Sequence, residues 1–302
     1  MQDLQTFCPS TPTAGLPTLK YFGQEGDYRV LIMTVHGPSL EDLHEHLGKF
    51  SLKTTAMLAD QMISRLEFVH SVGYIHRDLK PDNFLMGLGK LSHHVYLIDY
   101  GLSTKYVSST TGQHREATTG RNFVGTTRYA SLRTHQGCSQ SRRDDIEQLA
   151  YILVYLYRGR LPWSGLQIRD RDEKEKAIGD LKLKLPTSKI AERCPRQFED
   201  LLLYARKMEF EEVPQYEMCR MLMASVLDEL GPALGKNDFE YDWVVKKRPQ
   251  SPSAPQEGGT TSPRSPINSG SGVGIGVLSS AQARGVFSGC GSQDITSLGG
   301  FE

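Results

Sequence analysis

The 302-residue chain holds no uninterrupted apolar run approaching the roughly 18 residues a membrane-spanning helix needs, so no membrane span is expected. Its opening, Met1-Gln2-Asp3-Leu4, has neither a basic start nor a following apolar stretch, and a secretory leader is not expected. Neither charge sign is in excess: 35 Lys and Arg against 35 Asp and Glu give a formal net charge of zero at pH 7. Whole-surface attraction to nucleic acid is therefore not expected. Cysteine is scarce and scattered. Cys8, Cys138, Cys194, Cys219 and Cys290 form an odd set without a CxxC pair, which argues against a disulfide framework or a zinc site. Reduced thiols in the cytoplasm or nucleus follow from that pattern. No internal repeat is visible, and no GxGxxG occurs anywhere. The glycine-rich stretch from Gly270 to Gly276 has the wrong spacing for one.

What is present divides into three parts. Residues 1–17 carry Pro9, Pro12 and Pro17 among Ser and Thr and read as an irregular arm. Residues 247–302 are dominated by Ser, Gly and Pro, too poor in apolar groups to offset their ordering entropy, and read as a flexible tail. Ser251-Pro252, Ser262-Pro263 and Ser265-Pro266 in that tail suit proline-directed phosphorylation, although plain linker composition explains them as well.

The middle has clear periodicities. Residues 28–35, YRVLIMTV, form a β-rich run after the turn-like 23–27, which predicts a hairpin. Ser51 is a candidate N-cap. Leu52, Ala56, Ala59, Met62, Ile63, Leu66 and Val69 follow it at amphipathic-helix spacing, ending near Gly73. Residues 95–98 read as a short buried strand. Residues 144–157, apolar nearly all round and followed by Gly159, predict a helix through the core. Helical patterns about 195–208 and 214–230 complete the body.

The chemistry concentrates in two loops. One is the run from His76 to Asn83, HRDLKPDN, after the long helix; the other is Asp99-Tyr100-Gly101 at the end of the 95–98 strand. Phosphoryl transfer requires an acceptor for the attacking hydroxyl's proton, a cation beside the moving group and oxygen ligands for Mg²⁺. Asp78, Lys80 and the Asn83–Asp99 pair offer these in turn. A solvated loop charge would explain any one of them singly, but not the joint order and separation, which match known catalytic-loop and metal-loop signatures.

At this point the sequence resembles the protein kinases, and within them the casein kinase I family. The resemblance is carried by Gly37 to Leu43 (GPSLEDL), Lys49 to Thr54, Leu58 to Arg65 and His76 to Lys90 (HRDLKPDNFLMGLGK). It continues through Gly125 to Ser131 (GTTRYAS), Gln140 to Asp145, Leu161 to Leu166 and Tyr241-Asp242-Trp243, over about residues 18–245. It implies an α+β, protein-kinase-like bilobal fold with a mostly α-helical large lobe and an incomplete β small lobe. The kinase domain would span 18–246, with a partial small lobe over 18–37 and the hinge and large lobe over 34–246. Further implications are a monomer acting on protein substrates, ATP and Mg²⁺ as cofactors, and Ser/Thr acceptors in acidic or phospho-primed proteins; Lys80 is a residue that tyrosine kinases generally lack.

By the same resemblance Asp78 is the catalytic base, Lys80 the phosphate-side cation, and Asn83 and Asp99 the metal ligands. Met33 is the gatekeeper, Thr34, Val35 and His36 form the adenine hinge, and Leu85 and Ile98 lie under the base. Asp145 is the helix aspartate that braces the catalytic loop. Arg128, Gly165 and Lys174 form an anion pocket, with Arg121 adding charge; bidentate arginine suits phosphate. Tyr100 replaces the usual Phe of the metal loop, and its hydroxyl needs a partner if buried. Because neither a glycine-rich loop nor a Val-Ala-Ile-Lys strand is found, the alternative is a catalytically impaired kinase-like module that binds substrates or partners.

Overall fold

The computed structural model describes residues 15–108 and 110–245. The expected tail with its Ser-Pro sites, the glycine-rich run and the first fourteen residues of the expected arm lie outside that range. The remaining arm residues, Gly15, Leu16 and Pro17, are buried, and Leu97 N–H donates to Gly15 O at 2.9 Å.

The predicted hairpin is present. β1 (Leu19–Glu25) runs antiparallel to β2 (Tyr28–Met33), with Glu25 opposite Tyr28. Gly26 takes φ +59° in the turn between them, a conformation glycine reaches without strain. Two helices then begin the helical body. α1 (Leu40–Leu47) starts in a capping box in which Ser39 and Asp42 satisfy each other's backbone N–H groups. α2 (Leu52–Ser71) starts at Ser51, whose Oγ accepts Thr54 N–H at 3.1 Å. Of the predicted apolar face of α2, Ala56, Ala59, Met62, Ile63, Leu66 and Val69 are fully buried and Leu52 is half-buried.

Two further pairings are short: β3 (Tyr74–Ile75) with β6 (Thr104–Lys105), and β4 (Phe84–Met86) with β5 (Val95–Leu97). After α3 (Leu132–His135), α4 (Arg142–Arg158) crosses the core with every side chain from Asp144 to Leu156 buried. Burying each of its Leu and Ile side chains contributes about 1.5–3 kcal/mol, which is why an all-round apolar sequence sits at the centre. It stops at Gly159, φ +80°, whose N–H returns to Tyr155 O at 2.7 Å.

α5 (Arg171–Lys184) and α6 (Thr187–Ile190) follow, then α7 (Arg196–Lys207) against α4 and α8 (Tyr216–Glu229) against α2. α9 (Gly231–Leu234) and α10 (Asp242–Val245) close the described range. The result is a mixed α/β protein-kinase-like fold, mostly helical, as the sequence implied. No helix among the described residues is long and apolar enough to cross a membrane.

Candidate active site

α4 builds the site from beneath. Asp145, fully buried in its first turn, accepts His76 N–H at 2.7 Å and Arg77 N–H at 2.9 Å, and lies 2.9 Å from His70 Nε2. Burial pushes the Asp145 carboxyl up, but the bonds from His70 and Arg77 N–H and the nearby imidazoles outweigh it and hold it below the ordinary range. One turn on, Gln148 Oε1 accepts Leu79 N–H at 2.8 Å. These bonds hold a loop that does not relax by itself: Arg77 sits at φ +70°, a left-handed conformation costing about 1–3 kcal/mol for a residue with a Cβ.

His76 joins the two predicted loops. Burial lowers its pKa, keeping the imidazole neutral. In the Nε2–H tautomer it donates to Ile98 O at 3.0 Å while Nδ1 accepts Asp78 N–H at 3.3 Å. Ile98 N–H in turn donates to Asn83 O at 2.9 Å. Asp99, the next residue, takes φ +63° and presents an exposed carboxylate, with Oδ1 accepting Gly101 N–H at 3.3 Å. Tyr100 satisfies its extra hydroxyl locally, donating to Leu97 O at 3.0 Å, and meets the His76 ring edge-on. A single buried histidine and one backbone bond thus tie the loop carrying Asp78 and Asn83 to the loop carrying Asp99.

Both carboxylate oxygens of Asp78 have a defined neighbour. Asn83 Nδ2 donates to Asp78 O at 2.9 Å, a bond that leaves Oδ1 uninvolved. Asp78 Oδ2 lies 3.7 Å from Lys80 Nζ, and Oδ1 accepts the Thr126 hydroxyl at 2.7 Å. Gly125 is required beside it: at φ +111° a Cβ would come within 2.5 Å of Arg77 O. Asn83 and Asp99 are hard oxygen donors. Such a pair fits Mg²⁺, which keeps waters and phosphate oxygens as its other ligands, whereas among the described residues no group of three or more His, Cys, Asp or Glu could hold a metal alone.

The predicted hinge leaves β2 at Met33 and lies along β4. Gly37 N–H donates to Met86 O at 2.7 Å, Met86 N–H to Pro38 O at 3.0 Å, and the His36 ring packs on Tyr96 with centroids 4.2 Å apart. Thr34 Oγ1 lies 3.0 Å from His36 Nε2, whose pKa burial lowers. Val35 is exposed, while Met33, Leu85 and Ile98 are half-buried.

The residues of the predicted anion group have distinct surroundings. Arg128 stacks over Tyr155 and Tyr129 at 5.5 and 5.8 Å, and its carbonyl accepts Trp163 Nε1–H at 2.8 Å, which ties it to the turn holding Gly165. Lys174 stands exposed in the first turn of α5. Arg121 lines a separate concavity of about 630 Å³ with Arg77, Lys105 and Arg115, and donates to Thr118 Oγ1 at 2.8 Å.

Sequence reasoning missed three side chains here. Thr126 lay in the recognised GTTRYAS run without a role. Glu41, in the recognised GPSLEDL run, reaches to 4.0 Å from Arg128 Nη1 and accepts the Tyr155 hydroxyl at 2.9 Å. Lys182 of α5 is fully buried; its Nζ donates to Thr127 O at 2.9 Å and Ala130 O at 2.7 Å, and lies 3.1 Å from His135 Nε2. Burial forces the Lys182 pKa well down, and burial together with that ammonium lowers His135 to about 3. Nothing in the sequence singles out Lys182 from its charged neighbours.

Residues 14–224, well over half of the chain, match the family model for the protein kinase domain.

Proposed function

Taking as premise that this chain belongs to the protein kinase family, we propose that it is a serine/threonine kinase of casein kinase I type, acting on acidic or phospho-primed proteins. The observation that carries the reading is the convergence on Asp78. One carboxylate oxygen is held by Thr126 and the other faces Lys80; Asn83 stands on the same loop, and Asp99 on the neighbouring one that Ile98 N–H ties to Asn83 O.

In this reading the side chain of Asp78 receives the proton of a substrate Ser or Thr hydroxyl and aims its oxygen for in-line attack. Lys80 places positive charge beside the phosphoryl group as it moves. Asn83 Oδ1 and Asp99 would hold Mg²⁺, and the 34–36 backbone with Leu85 and Ile98 would seat adenine. ATP with Mg²⁺ supplies the transferable γ-phosphoryl group when bound. Lys80 supports Ser/Thr acceptors, and Arg128, its guanidinium nearly half exposed, supports anionic substrates. On the same reading the chain works as a monomer in the cytoplasm or nucleus.

Calorimetric titration of the 302-residue chain with ATP tests the cofactor assignment. Saturable binding that requires Mg²⁺, and that weakens at least tenfold in Asp99→Asn, is expected. Binding indifferent to both Mg²⁺ and Asp99→Asn would remove the metal-ligand assignment.

A further inference from the structure

Arg128 does not face solvent alone. Its Nη1 lies 4.0 Å from Glu41 Oε1, at the outer limit of an ion pair, so the guanidinium fork keeps donors to spare. The Glu41 side chain is only 18% exposed against 46% for Arg128. Its Oε1 accepts the Tyr155 hydroxyl, while Oε2 is buried with no hydrogen-bond partner among the described residues. Neither residue is free to withdraw. Glu41 sits in the first turn of α1, fixed by the Ser39–Asp42 capping box. Arg128 is fixed through its own carbonyl by Trp163 and through the flanking carbonyls of Thr127 and Ala130 by Lys182.

We infer that Glu41 is a specificity-determining positioning residue whose carboxylate competes with an incoming substrate phosphate for Arg128, holding down the preference for phospho-primed substrates. The inference rests on the proposed reading of Arg128 as the anion clamp. A phosphate that engages the open side of the guanidinium comes close to an under-satisfied carboxylate it cannot displace. Like charges at such separations near a protein surface oppose each other by an amount worth roughly three- to tenfold in affinity. Asp82 and Glu45 add negative charge around Glu41 and act in the same direction. Tyr155 holds Glu41 in place and does not neutralise it. Phosphopeptides are therefore discriminated by a clamp whose charge is already partly spent.

The test is fluorescence anisotropy on the full 302-residue chain with two labelled peptides. One carries phosphoserine three residues before a Ser; the other carries unmodified Ser there. Glu41→Gln keeps an acceptor for Tyr155 and should tighten the phosphopeptide about three- to tenfold, leaving the unmodified peptide within about twofold. Glu41→Asp, which retains the charge, should not tighten it. In an Arg128→Ala background the gain from Glu41→Gln should vanish. Unchanged or weaker phosphopeptide binding by Glu41→Gln, while Arg128→Ala still weakens the wild-type complex, overturns the role of Glu41 alone. If Arg128→Ala leaves phosphopeptide binding untouched, the clamp reading itself fails, and this inference with it.

Discussion

The hydroxyl of Thr126 donates to Asp78 Oδ1 at 2.7 Å, across 48 residues of sequence. With Lys80 on the other oxygen, it leaves the carboxylate one main direction in which to meet a substrate. A hydrogen bond to a charged group contributes about 1.5–3 kcal/mol. Thr126→Ala should lower kcat roughly ten- to a hundredfold on a Ser-containing peptide, with Thr126→Ser within about threefold of wild type. Equal activity in Thr126→Ala would show that Asp78 needs no such restraint.

Asp145 holds the strained turn at Arg77. Asp145→Ala would leave the buried N–H of His76 and the partly buried N–H of Arg77 without acceptors, and His70 without its carboxylate partner. The expected loss is about 3–5 kcal/mol of unfolding free energy, read as a lower urea midpoint at unchanged slope. A loss under about 1 kcal/mol would mean the catalytic loop is held by other contacts.

His135 makes stability pH-dependent. Its folded pKa of about 3 lies below the ordinary 6.5, so the unfolded chain takes up the proton first. The stabilising contribution is complete above pH 6.5 and is lost as pH falls toward 3. His135→Gln, which keeps an acceptor for Lys182, should lose about 2–3 kcal/mol less than wild type between pH 6.5 and 4. Parallel pH curves for the two proteins would refute the assignment.

Much of this was legible because local rules agree with tertiary ones. The Ser51 cap, the α2 stripe and the long apolar run of α4 announce buried helices, and the short separation within HRDLKPDN fixes Asp78, Lys80 and Asn83 on one loop. α5 was not anticipated, because its RDEKEK start and alternating charges carry no apolar stripe; only Ile178 and Lys182 of it are buried. Lys182 is buried for carbonyls more than 50 residues away, which no periodicity encodes. Arg121 was expected to add charge to the anion group; its N–H rests on Gly137 O and its side chain lines the concavity with Arg77, relationships between distant loops that no local spacing encodes.

The central claim is that Asp78 takes the proton of the attacking hydroxyl. Transfer of labelled γ-phosphate from Mg·ATP to a Ser-containing acidic peptide, by the 302-residue chain and by Asp78→Asn, tests it most directly. The account predicts transfer by the wild type that falls at least about a hundredfold in the variant, whose amide cannot accept the proton. Equal transfer by both proteins, or transfer by neither, would contradict it.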